Sequence, residues 1–134
     1  MSERSARWSY AATRTAPGEG RRAVGEFAAS AGATARALGA IAVCVSEAVT
    51  NVVVHAYRYD ERPGSVEVEA EIDGDALCVR VRDQGRGLEP RLDSPGLGLG
   101  IPLMAQLSAG LEILAADCGG TEVTMRFDLR EQEG

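Results

Sequence analysis

Three polar side chains recur every fourth residue in an otherwise apolar stretch, "VSEAVTNVVVHAY": Glu47, Asn51 and the chain's one histidine, His55. On a helix such residues lie one above another, each turned by about 40° from the last. Val45, Ala48, Val49, Val52, Val53 and Ala56 form an apolar stripe that faces a core. Val43 and Val54 flank the polar column, with small Ser46 and Thr50 beside it, so the helix is expected to be covered on both faces. A carboxylate buried there is costly unless a cation, a donor or a ligand satisfies it. A structural pair capping a neighbouring loop would meet the same need, and His55 reads as a hydrogen-bonding residue at the helix end. As a metal triad the set is poor for zinc, because an asparagine amide is a weak zinc ligand. It suits a hard cation such as magnesium, which keeps its waters and takes phosphate oxygens.

Two glycine clusters follow: "DQGRG", Asp83 to Gly87, at the end of a strand, and "GLGLG", comprising Gly96, Leu97, Gly98, Leu99 and Gly100, running into a helix. Either alone reads equally well as turn punctuation. The second does not fit a dinucleotide-binding turn, since its glycines are evenly spaced and a proline-containing loop precedes it. Glycines at a helix start do let the backbone approach a phosphate, with free N–H groups and the helix dipole supplying positive potential. A third segment, "GGTEVTM", enters the last strand and points the Thr121 hydroxyl at whatever the sheet faces.

The elements that position these residues follow from hydrophobic period. "RWSYAAT" alternates as a first strand and "APGEG" turns it. Helices are expected from about Glu19 to Ala31 and, with Thr34 as N-cap, on to about Tyr57. The period then changes to two: "SVEVEAEI" and "LCVRVRD" form a hairpin with one apolar and one charged face. A helix over about Ile101 to Ser108 and strands over about Leu111–Ala116 and Thr121–Leu129 complete an α+β chain. The helices should lie on one face of a mainly antiparallel mixed sheet, a two-layer sandwich.

Length bounds the rest. The 134 residues, 45% hydrophobic and 25% charged, suit one globular domain, residues 1–134. Cys44, Cys78 and Cys118 are odd in number and lack metal-ligand spacing, which points to reduced thiols in the cytoplasm. No apolar signal core opens the chain, and no purely apolar run is long enough to span a bilayer, so no membrane role is expected. A net charge of -6 argues against direct nucleic-acid binding. All fourteen basic residues are arginine. Without lysine there is no Walker A loop, no strand lysine of eukaryotic-type kinases and no Schiff-base nucleophile.

The ordered set "EAVTNVVVHAY", "DQGRGL", "GLGLGIPLM" and "GGTEVTM" resembles the N box and three glycine boxes of the Bergerat-fold ATPase superfamily of gyrase, histidine kinases and mismatch-repair proteins. Its small size and the wording "SEAVTN" and "HAY" resemble the bacterial anti-sigma-factor serine kinases. The resemblance implies ATP and Mg²⁺ as cofactors, with Asn51 on the metal and Glu47 orienting or deprotonating the attacking hydroxyl. It implies Asp83 on the adenine amino group and Gly85 and Gly87 close to the base. Gly96, Leu97, Gly98, Leu99 and Gly100 would lie around the phosphates, and Thr121 would support the adenine pocket. It further implies a serine kinase of an anti-anti-sigma (STAS-type) protein that also silences a sigma factor, with Arg21 the closest match to a partner-binding arginine and a homodimer as a common state. The alternative is a non-catalytic ATP-binding switch. The segment between the first two glycine boxes, "LEPRLDSP", is short and offers no lysine, leaving Arg86 or Arg91 to stand over the phosphates. A free-standing sensor histidine kinase is disfavoured, because the one histidine lies inside the N-box helix.

Overall fold

The computed structural model describes residues 4–57, 64–85, 100–115 and 119–131. A first strand, β1 (Ser5–Ala11), leads into α1 (Ala16–Ser30). This helix starts earlier than the expected Glu19. The "APG" read as part of a turn is its first turn, where Pro17 loses no hydrogen bond because the first helical N–H groups have no partner anyway. Thr34 caps α2 (Ala35–Asn51) as expected, its Oγ1 accepting from the Ala37 N–H at 3.1 Å.

The long helix does not continue regularly to Tyr57. At Val52 the ladder widens into a π turn, Val52–Ala56, over a run of β-branched valines with low α preference. Taken together, Ala35–Ala56 is 22 residues, long and apolar enough to cross a membrane by length and composition alone. Half of its most apolar window is buried inside the protein, as in the core helix of a globular fold.

β2 (Ser65–Asp73) and β3 (Ala76–Asp83) form the expected hairpin. A short helix, α3 (Gly100–Leu107), precedes β4 (Gly110–Ala115) and β5 (Thr121–Asp128). The sheet order is β1-β2-β3-β5-β4, so β5 inserts between β3 and β4. All four described pairings are antiparallel.

Alternation assigns the faces. Val66, Val68, Ala70 and Ile72 on β2 face the helices beside Leu77, Val79 and Val81 on β3 and Val123, Met125 and Phe127 on β5, all buried. Against them pack Val24 and Ala28 of α1 and Ile41, Val45, Ala48 and Val49 of α2. Trp8 meets Phe27 edge-on at 6.2 Å, joining β1 to α1. The other face carries cross-strand ion pairs, Arg7–Glu69 and Arg82–Glu122, both at 2.7 Å. These partly exposed pairs contribute about 1 kcal/mol each; their larger effect is to keep this face polar and the apolar one turned inward. The outcome is the α+β two-layer arrangement expected, with helices on one side of the sheet.

Candidate functional site

Among the described residues three polar side chains are buried: Asn51 at 5% exposure, Asp83 at 5% and Thr121 at 2%. All three are sequence-predicted site residues. Asp83 ends β3 and stands directly across from Thr121, the first residue of β5, on the helix-covered face. Asn51 closes α2 at the start of the π turn.

Backbone geometry around Asp83 is tight. A Cβ on Gly85 would stand 2.1 Å from the Ala56 carbonyl oxygen, so only glycine lets the turn after β3 reach the end of the π turn. Gly119 and Gly120 both have positive φ, and a Cβ on Gly120 would lie 2.2 Å from the Asp83 carbonyl oxygen. The "GG" before Thr121 thus allows β5 to enter beside β3 without a side chain between them.

Asp83 Oδ1 accepts the Gly85 N–H at 3.0 Å. Burial pushes the Asp83 carboxyl above its ordinary range, and the backbone N–H groups of Gly85 and Thr121 pull partly the other way. The result is a desolvated acceptor at a sheet end, held in place by two amides with lone pairs to spare.

Glu47 departs from the expectation of full burial. It is half-buried on α2, and Val43 and Val54 near it are 39% and 49% exposed, so the second face of the helix is only partly covered. The cover comes from α3: Met104 is fully buried, and the Cys44 thiol reaches its carbonyl oxygen at 3.9 Å. Burial, followed by the Glu47 carboxylate, pushes the Cys44 thiol up to about 11. Arg21 is exposed on α1 and donates from Nη1 to Ser46 Oγ at 3.3 Å, one residue from Glu47. His55 lies half-buried in the π turn. Gly100 begins α3. Gly87, Gly96, Leu97, Gly98, Leu99, Arg86 and Arg91 lie outside the described residues.

Sequence reasoning did not single out Tyr57 or Ala56. Tyr57 Oη donates to the Ser65 carbonyl at 2.7 Å and accepts the Gln84 N–H at 2.9 Å, beside Asp83. The closing tyrosine of "HAY" was the available signal, but a helix-end aromatic has many other uses. Among the described residues no group of three or more His, Cys, Asp or Glu could hold a metal ion. A cation here would have to lean on an amide oxygen and on ligand oxygens, which suits magnesium and not zinc.

The family model described as the histidine kinase-like ATPase domain matches residues 10–127. An anti-sigma F factor of Thermoanaerobacter sp. (strain X514) is 31% identical over 116 residues, covering 78% of this chain and 80% of its own. One from Clostridium perfringens (strain SM101 / Type A) is 32% identical over 122 residues, covering 81% and 85%. Among solved structures, the RsbU and RsbW domains of a Mycobacterium tuberculosis protein align with a TM-score of 0.73 at 26% identity, over 92% of this chain and 32% of that longer one. The histidine kinase domain of a blue-light-activated kinase from Erythrobacter litoralis aligns with a TM-score of 0.57 at 31% identity, over 70% of this chain and 45% of that one. The family model covers most of the chain and the anti-sigma F factors are aligned over most of both lengths: the chain belongs to the histidine kinase-like ATPase domain family and, within it, to the anti-sigma factors.

Proposed function

We propose that this protein is an ATP-binding anti-sigma factor that transfers the γ-phosphoryl group of ATP to a serine of an anti-anti-sigma partner. The observation that carries the reading is the meeting of Asp83, Thr121, Gly85 and Gly120 at one sheet end, where a buried carboxylate is framed by backbone packed too closely for any added Cβ.

Asp83 accepts a hydrogen bond from the adenine amino group; guanine would present a carbonyl oxygen to the same carboxylate and be repelled. Asn51 would supply an amide oxygen to Mg²⁺, which when bound would neutralise phosphate charge. The start of α3 at Gly100 offers backbone N–H groups to the phosphates, so an acidic chain without lysine still holds an anion. Glu47, one turn before Asn51 and half-buried, takes the proton as the partner's serine oxygen bonds to the γ-phosphorus and the bond to the β-phosphate oxygen breaks, releasing ADP. Arg21, on the neighbouring helix and hydrogen-bonded to Ser46 beside Glu47, is the residue we assign to contact with the partner that brings that serine. The relatives named as anti-sigma F factors support a sigma factor as the second partner. The cytoplasm is the compartment that suits two buried free thiols, Cys44 and Cys78.

The test is transfer of labelled γ-phosphate to a cognate anti-anti-sigma protein. Glu47→Ala should cut the rate by about two orders of magnitude or more while leaving Mg-ATP affinity within about threefold, as for loss of a general base. Transfer at the wild-type rate in that variant would remove Glu47 from the reaction. ATP binding with no transfer by the wild-type protein would favour the non-catalytic switch.

A further inference from the structure

Base recognition by Asp83 depends on where the turn Asp83–Gln84–Gly85 sits. Asp83, the last residue of β3, is anchored between β2 and β5 and its carboxylate takes the Thr121 amide, whereas the N–H of Gly85 closes only a local loop onto Asp83 Oδ1 at 3.0 Å. Gln84 is exposed, and its backbone N–H points to Tyr57 Oη at 2.9 Å. The same hydroxyl donates its proton to the Ser65 carbonyl, at the first residue of β2, at 2.7 Å. Its ring lies against Gly64, where an added Cβ would stand 2.2 Å from the ring carbons.

One phenol therefore links three segments: the end of the π turn, the start of β2 and the turn that carries Asp83. Its two bonds differ in polarity, so the hydroxyl is committed in both directions and cannot rotate freely. The adjoining Ala56 carbonyl oxygen, against Gly85, forms the other wall of the same turn. The π turn between Asn51 and Tyr57 inserts one residue relative to an α-helix, rotating everything after it by about 100°.

We propose that Tyr57 is a positioning residue for nucleotide-base recognition: its hydroxyl, donor to Ser65 and acceptor from Gln84, holds the Asp83 turn in the orientation that meets an exocyclic amino group. The inference rests on the adenine reading of Asp83. It goes beyond it by making selectivity depend on a side chain that does not touch the base.

Tyr57→Phe keeps the ring and removes only the bridging oxygen. Three ligands, each with Mg²⁺, separate the possibilities by calorimetry: ATP, ITP, which lacks the amino group, and inorganic tripolyphosphate, which lacks a base. In Tyr57→Phe, ATP should bind about five- to tenfold more weakly, the scale of one hydrogen bond. ITP and tripolyphosphate should change less than twofold, so the ATP/ITP preference falls. The Gln84 amide should lose protection from hydrogen exchange in the same variant. In an Asp83→Asn background, adding Tyr57→Phe should change ATP affinity less than twofold, because the acceptor it positions is gone. An unchanged ATP/ITP preference in Tyr57→Phe, or equal weakening of all three ligands, overturns the role of Tyr57 while leaving the adenine reading intact. Equal affinity of the wild-type protein for ATP and ITP overturns both.

Discussion

Asp83→Asn separates a nucleotide-binding carboxylate from a structural one. The substitution is nearly isosteric and keeps an oxygen able to accept the Gly85 N–H. What it removes is a negative charge at a site 5% exposed. Burial raises the folded-state carboxyl above its unfolded value, so the folded protein binds more protons than the unfolded chain in the window between those values. Stability from this group therefore falls as pH rises through that window and is lowest above it. The asparagine variant has no such dependence, so the stability difference, variant minus wild type, should grow in the variant's favour as pH rises from the ordinary carboxylate range. At pH 7 the ligand-free variant should melt at or above the wild-type temperature.

Binding should move the other way. A hydrogen bond to a charged group is worth about 1.5–3 kcal/mol, which corresponds to ATP affinity about 10- to 100-fold weaker in the variant. At a concentration about 100 times the wild-type Kd, ligand stabilises the wild type by about 2.7 kcal/mol but the variant by only about 0.4–1.4 kcal/mol. For a chain of this size that is a melting shift of roughly 8–13 °C against roughly 1–7 °C. Differential scanning fluorimetry from pH 4 to pH 8, with and without Mg-ATP, reads both effects. A ligand-free melting point several degrees below wild type, with the ATP shift preserved, would refute the reasoning and make Asp83 a structural fastener.

Two further outcomes test the surroundings of the site. Gly120→Ala should destabilise the protein by about 1–3 kcal/mol in urea unfolding, because alanine at φ +91° is strained and its Cβ would stand 2.2 Å from the Asp83 carbonyl oxygen. Cys44, fully buried with its thiol pushed up to about 11, should resist iodoacetamide at pH 8, where about one thiol in a thousand is ionised; Met104→Ala, which opens the α3 packing over it, should speed alkylation measured by mass spectrometry.

Much of this molecule is legible in one dimension because its signals are periodic. The apolar stripe Val45–Ala48–Val49–Val52 is buried as its 3.6-residue spacing requires, and the strict alternation of "SVEVEAEI" fixes which face of β2 meets the helices. Thr34 caps its helix through a bond within its own first turn, a local signal readable from sequence, while its hydroxyl and N–H also donate to the carbonyls of Glu131 and Leu129 far along the chain. Asn51 could be named because it is a polar residue in a largely apolar helix, and Asp83 and Thr121 because the glycine segments they adjoin resemble the boxes of a known family.

The depth of each polar residue depended on tertiary packing. Glu47 looked like the buried group and Asn51 its companion; the structure buries Asn51 and leaves Glu47 half-exposed, because cover on that side comes from α3, a segment about fifty residues away. The start of α1 at Ala16 was hidden by proline and glycine, which signal a turn in sequence but also suit a first helical turn. The π turn and the bridge from Tyr57 to Gln84 and Ser65 were beyond sequence for the same reason: they depend on how closely β2 and β3 approach the end of a helix. Sequence by itself determined the order of elements, the inward faces and the residue types of the site. Tertiary structure alone decided which of those residues are dry, which glycines tolerate no side chain and which hydroxyl holds the turn together, since each is a distance between segments that the chain brings together only on folding.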